Sequence, residues 1–340
     1  MSLKTRGSHR TFFDSLPRSS HWTRALGCSV LWLILAESTI AALGENQWPV
    51  LAGRIGPYGG IATIQEAEKL SADGFTLTLP SSYAPELLAT LRTHRIAYID
   101  AYFWELIRQT CLAQNEIASQ TDCEISDRER EAIASQARKH LEQIAADTNV
   151  AGFWILDDYP GSISPTLKML HDLVARANST ANLQRPTICG VGGNLDVNKS
   201  HDRRYMNRAL TNISPDACDL VSPYLYAVDS KNNPKLVDWS MRKAIPYLHH
   251  ALKQKGFNMS SPLLVPILHA FSTDSGYVMP RPQDIVAQVK AYSKERPIAF
   301  LFFTWQSQDA DQSYANNPVI RDGVQQGAAY FRTLSTIPKN

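Results

Sequence analysis

The chain has 340 residues, 44% of them hydrophobic and 19% charged, with 34 Lys and Arg against 32 Asp and Glu. That balance supports a packed core and excludes a chain disordered throughout. Residues 1–42 hold five bases (Lys4, Arg6, Arg10, Arg18, Arg24) and two acids (Asp14, Glu37), which leaves 29 bases and 30 acids beyond them. No basic stripe for nucleic acid or an anionic membrane remains.

The basic leader runs into an apolar stretch, residues 25–36, and then into small residues at 39–42. This order predicts a secretory signal over residues 1–42, cleaved near Ala41 or Ala42, because the apolar run is short for a membrane span. An uncleaved anchor reaching Gly44 is the competing reading. The rest, residues 43–340, reads as one domain that is secreted or periplasmic, with no membrane contact beyond such an anchor. In an oxidising compartment Cys111 and Cys123 are close enough to staple one loop. Cys189 and Cys218 lie in strand-like text and read as buried thiols. Asn178, Asn198, Asn212 and Asn258 each open an Asn-x-Ser/Thr sequon.

From Gly53 the text alternates between short apolar runs and longer amphipathic segments. The spacing predicts, in order, a strand at 53–58 and a helix at 61–72, a strand at 75–79 and a helix at 84–93, then a strand at 96–103. An insertion at about 105–124 precedes a helix at 127–146, which opens on a capping box (Ser126 with Glu129) and carries Ala132, Ala137, Leu141 and Ile144 on one face. A strand at 151–157 leads to a helix at 164–177, a strand at 187–191 to a short helix at 205–211, and a strand at 220–226 to a helix at 237–255. A strand at 263–270 with a helix at 282–294, and a strand at 298–304 with a helix at 318–334, complete the pattern. Eight strand–helix units predict an α/β fold, a closed (β/α)8 TIM barrel in a single domain. A doubly wound nucleotide-binding sheet is disfavoured, since residues 56–60 read Gly-Pro-Tyr-Gly-Gly and do not match GxGxxG.

Such barrels react at the carboxyl ends of their strands. Those ends offer Tyr58, Tyr102, Trp104, Glu105, Asn194, Tyr224, Tyr226, His269, Trp305 and Gln306 as substrate contacts. Rings that stack on sugar faces beside groups that bind hydroxyls are what an oligo- or polysaccharide requires. The run Gly152-Phe153-Trp154-Ile155-Leu156-Asp157-Asp158 is an apolar strand ending abruptly in two acids. One of them, desolvated by neighbouring rings, can hold a proton and deliver it to a leaving oxygen, Asp158 being slightly favoured over Asp157. Helix capping or pairing with an arginine is the structural alternative. Asp100 or Glu105 is the base candidate for an inverting reaction, and Asp100 reads equally well as a hydrogen-bonded barrel residue. His269 reads as a substrate contact or core residue rather than a metal ligand, and no HxH, HExxH or GxSxG accompanies it. No metal or cofactor is expected.

The strand-four acid, strand-six tyrosine and strand-eight tryptophan on eight strand–helix units resemble the glycoside-hydrolase barrel superfamily over most of residues 53–334. The resemblance implies hydrolysis of glycosidic bonds. Retaining members carry Asn-Glu at strand four and a Glu at strand seven, where this chain has Asp157-Asp158 and His269, with no carboxylate before Asp274. Chitinase-like members place an acid, a tyrosine and a tryptophan where this chain has Asp158, Tyr224 or Tyr226, and Trp305, but their DxxDxDxE run is absent. The alternative is a non-catalytic barrel that binds glycans or a partner and has lost the second carboxylate.

Overall fold

The structure is a computed structural model that describes residues 47–114, 123–157, 161–196, 210–228, 244–274, 277, 279–307 and 310–336. The leader, Asp158, the sequon at Asn198 and the first parts of the expected helices at 205–211 and 237–255 lie outside these residues.

Eight strands form one parallel sheet: β1 Ile55–Pro57, β2 Leu77–Thr78, β3 Ala97–Asp100, β4 Val150–Leu156, β5 Thr187–Asp196, β6 Leu220–Val228, β7 Ile267–His269 and β8 Phe300–Phe303. Around them lie α1 Ile64–Ala72, α2 Pro85–Thr93, α3 Tyr102–Gln114, α4 Asp127–Gln143, α5 Ser164–Ala181, α6 Ile245–Gln254, α7 Pro282–Ser293 and α8 Pro318–Thr336. From β2 to β8 each strand pairs with its sequence neighbour, and β1 pairs with β8. The seam between β1 and β2 closes through main-chain bonds from Leu79 N to Pro57 O and from Gly59 N to Leu79 O, at 3.0 and 2.9 Å. Gly56 permits this approach, because a Cβ there would stand 1.6 Å from Leu77 O. The fold is a single-domain (β/α)8 barrel.

Strands buried on both faces explain the near-continuous apolar text, β4 being buried along its whole length. Alternation splits the strand residues into two cores. Leu77, Ile99, Trp154, Ile188, Val265 and Leu301 fill the lumen, while Ile55, Tyr98, Phe153, Leu268 and Phe302 pack outward under the helices. Helix α4 opens on the expected capping box, Ser126 with Glu129. Its buried face is Ile133, Ala134, Ala137 and Leu141, whereas Ala132 is exposed.

Three expectations are corrected. The third strand ends at Asp100 rather than Phe103, and residues 102–114, from the expected strand end into the expected insertion, form α3 instead of strand and loop. Asp100 itself ends the strand, accepting a bond from Tyr102 N at 2.8 Å. Cys189 and Cys218 are not thiols. They are bonded to each other, Cα to Cα 5.8 Å, because Cys189 faces the outer layer on β5 and Cys218 enters the adjacent β6 beside it. The expected Cys111–Cys123 bond is present, with Cα atoms 5.4 Å apart.

Candidate active site

At the carboxyl ends of the strands lies an open cavity of about 350 Å³, lined by Tyr58, Trp104, Arg108, Asp157, Tyr224, Tyr226, Ile267 and Phe303. Tyr58 follows β1, Asp157 follows β4, the two tyrosines come from β6, Ile267 and Phe303 from β7 and β8, and Trp104 and Arg108 from α3.

A local irregularity aims Asp157 inward. Trp154 pairs with Ile188 but Leu156 pairs with Cys189, so β4 carries one more residue than β5 over this stretch. Trp154 packs in the lumen, Ile155 and Leu156 join the outer core, and Asp157 then turns into the cavity. Strict alternation from Trp154 would have pointed residue 158 that way; a bulge shifts the phase by one and re-aims a side chain. Gly190 makes room beneath, since a Cβ there would meet Trp154 Cζ2 at 2.7 Å and Tyr224 Cε1 at 3.2 Å.

Both oxygens of Asp157 accept phenolic hydrogen bonds. Tyr224 donates to Oδ1 at 2.7 Å and Tyr58 donates to Oδ2 in a short contact. Burial pushes the Asp157 carboxyl above its usual range, and the two hydroxyls, which favour the charged form, pull back against that shift. The Tyr58 hydroxyl is itself raised, first by burial and then by the adjacent carboxylate, so it remains a donor. The rings form a continuous wall: Tyr58 stands 5.9 Å from Phe303, Phe303 5.7 Å from Tyr226, and Tyr226 5.4 Å from Tyr224. The result is an apolar socket around one carboxyl group.

Tyr58, Trp104, Asp157, Tyr224 and Tyr226 of the expected site therefore converge. The others lie elsewhere. Asp100 is buried in the strand–helix layer, where Oδ2 meets His140 Nε2 of α4 at 2.8 Å. Tyr102 stacks on that histidine ring at 4.0 Å. Glu105 grips Arg108 through two bonds of 2.7 and 2.8 Å and does not line the cavity itself. The Glu105 carboxyl is held below its usual range chiefly by that bond. His269 is buried behind Tyr226, ring to ring 5.7 Å, with Nε2 donating to Phe271 O at 2.9 Å. Burial lowers it to about 4, so it is neutral near pH 7. Trp305 stacks on Tyr314 at 4.9 Å in the outer core rather than at the mouth, and Gln306 donates to Glu66. Asn194 stands opposite Tyr226 on β5. Asp158 falls outside the described residues.

Sequence reading missed Arg108, Ile267 and Phe303. Alternation along β7 and β8 from the lumen residues Val265 and Leu301 would have found the last two. Arg108 follows from Trp104 at i+4 once residues 102–114 are read as a helix. Among the described residues, no group of three or more His, Cys, Asp or Glu is placed to hold a metal.

No family model matches the chain, and no curated protein matches it. Solved structures do. A Thermotoga maritima Cel5A crystallised with cellobiose matches 84% of this chain and 98% of its own at a TM-score of 0.53 and 10% identity. The active domain 2 of a thermostable chitinase from Pyrococcus furiosus, complexed with chito-oligosaccharides, matches 85% and 98% at 0.51 and 10% identity. The cellulose synthase subunit Z (CcsZ) from Clostridioides difficile matches 81% and 99% at 0.50 and 12% identity. The fold is that of the glycoside-hydrolase (β/α)8 barrels. At such identities the likeness shows the fold alone, and the barrel here carries its own set of side chains.

Proposed function

We propose that this barrel acts on glycans, hydrolysing a glycosidic bond with the strand-four carboxyl Asp157 as general acid. The observation that carries the reading is the Asp157 carboxyl, raised by burial and set among Tyr58, Tyr224 and a wall of rings at the carboxyl end of the strands. Rings of this kind suit the apolar faces of sugars, and a desolvated carboxyl holds its proton toward neutral pH. A glycosidic oxygen entering the cavity replaces one tyrosine contact and takes the proton, while the other tyrosine stabilises the carboxylate left behind. The solved neighbours crystallised with cellobiose and chito-oligosaccharides support a saccharide ligand. Export belongs to the same reading, and the two disulfides support it.

One observation favours a second reading. Among the described lining residues Asp157 is the only carboxylate, whereas hydrolysis by the usual routes uses a pair roughly 5–10 Å apart. A barrel that binds glycans without cleaving them fits that count. The experiment is a hydrolysis and binding screen over a glycan panel, followed by kinetics of Asp157→Asn and Asp158→Asn. The hydrolase reading expects Asp157→Asn to lose about 10²–10⁴-fold in turnover while keeping substrate affinity. Unchanged turnover in Asp157→Asn with loss in Asp158→Asn moves the acid to Asp158, and binding without any hydrolysis by the unaltered protein establishes the binding barrel.

A further inference from the structure

Arg108 is the only cationic side chain among the described residues that line the cavity. It sits one helical turn after Trp104, so the indole and the guanidinium lie on one side of α3, with Cβ atoms about 5–6 Å apart. Glu105 holds it in place through Nε and Nη2, at 2.8 and 2.7 Å. A guanidinium has five N–H donors, and this clamp uses two. The Nη1 nitrogen has no hydrogen-bond partner among the described residues, and the side chain is 44% exposed. A fork that is immobilised at one edge and open at the other binds a carboxylate at lower entropic cost than a mobile one.

Among the described lining residues the other ionisable acid is Asp157, whose two oxygens are engaged by Tyr58 and Tyr224. Burial also favours its neutral form. Arg108 and Glu105 together are neutral, so what the site offers a ligand at the α3 edge, beside Trp104, is the unused N–H donors of the guanidinium fork. Resting on the glycan reading above, we propose that Arg108 selects acidic sugars: the cavity takes a glycan bearing a carboxylate, a uronic acid or similar residue, stacked on Trp104 with its carboxylate on the open edge of the Arg108 fork.

The test compares matched ligands that differ only in charge, oligogalacturonides and their carboxyl-reduced galacto-oligosaccharides, titrated against the folded protein by calorimetry. The unaltered protein should bind the acidic member at least tenfold more tightly, with the difference shrinking as salt is raised. Arg108→Gln should abolish the preference, and Arg108→Lys, which keeps the charge without the fork, should restore part of it. Equal or tighter binding of the neutral member, or a preference that survives in Arg108→Gln, overturns the proposal while leaving the glycan reading intact. If both members and every neutral glycan of the panel fail to bind, the glycan reading falls and this proposal with it.

Discussion

Asp157 is pulled in two directions: burial favours its protonated form, and the hydroxyls of Tyr58 and Tyr224 favour its ionised form. Removing either hydroxyl takes away a bond made to the carboxylate, so the carboxyl rises further. Tyr224→Phe should therefore move the alkaline limb of kcat/KM to higher pH, because the acid keeps its proton longer. The pH–rate profile of that variant against the unaltered protein checks this, and an unmoved or lowered limb contradicts the assignment. The same shift has a stability signature. A carboxyl raised in the folded state contributes most below its ordinary value, and its contribution is lost as pH rises through the folded one. Asp157→Asn should accordingly gain in melting temperature relative to the unaltered protein as pH rises from acid to neutral.

Helix α3 is the element that turns a barrel end into a socket. It starts two residues after β3 and contributes Trp104 and Arg108 to the lining. Its first turn is held by Asp100, whose Oδ1 accepts from Tyr102 N, and whose Oδ2 reaches His140 on α4. Near its far end, Cys111 is bonded to Cys123, 12 residues on. Closing a loop of that size contributes about 3 kcal/mol in the chain-entropy model. The paired variant Cys111→Ser with Cys123→Ser should lose about 2–4 kcal/mol in denaturant unfolding. It should also weaken glycan binding, since the helix carrying Trp104 and Arg108 then loses its tether. Unchanged binding in a measurably destabilised variant would show that Asp100 and His140 alone hold the helix.

At the scale of the whole molecule, two disulfides fasten separate parts of the barrel, one at α3 and one between β5 and the residues leading into β6. Such bonds persist in oxidising compartments, in keeping with the basic and apolar leader. Among the described residues, no helix is long and apolar enough to cross a membrane. If the protein is exported as proposed, amino-terminal sequencing of its mature form should begin near residue 42–45, where the small residues follow the apolar run. Intact Met1 on protein recovered from the cytoplasm would contradict export.

The barrel was legible because its determinants are local: buried parallel strands are written as short apolar runs, and helices as 3.6-residue periodicity with caps such as Ser126 and Glu129. That Tyr58, Tyr224 and Tyr226 face one mouth follows from the same pattern, since each ends or nears the end of a strand. Local pattern thus sets the layers, the order of the strands and most of the aromatic wall. That Asp157 enters the cavity is a tertiary outcome, because the extra residue on β4 depends on pairing with β5 and leaves no trace in the text. Tertiary structure also decided that Cys189 meets Cys218, that Trp305 packs on Tyr314 instead of a ligand, and that Asp100 belongs to His140. Cys189 meets a partner 29 positions on, Trp305 one 9 positions on and Asp100 one 40 positions on, and periodicity along one chain carries no information about which side chain a neighbouring element brings alongside.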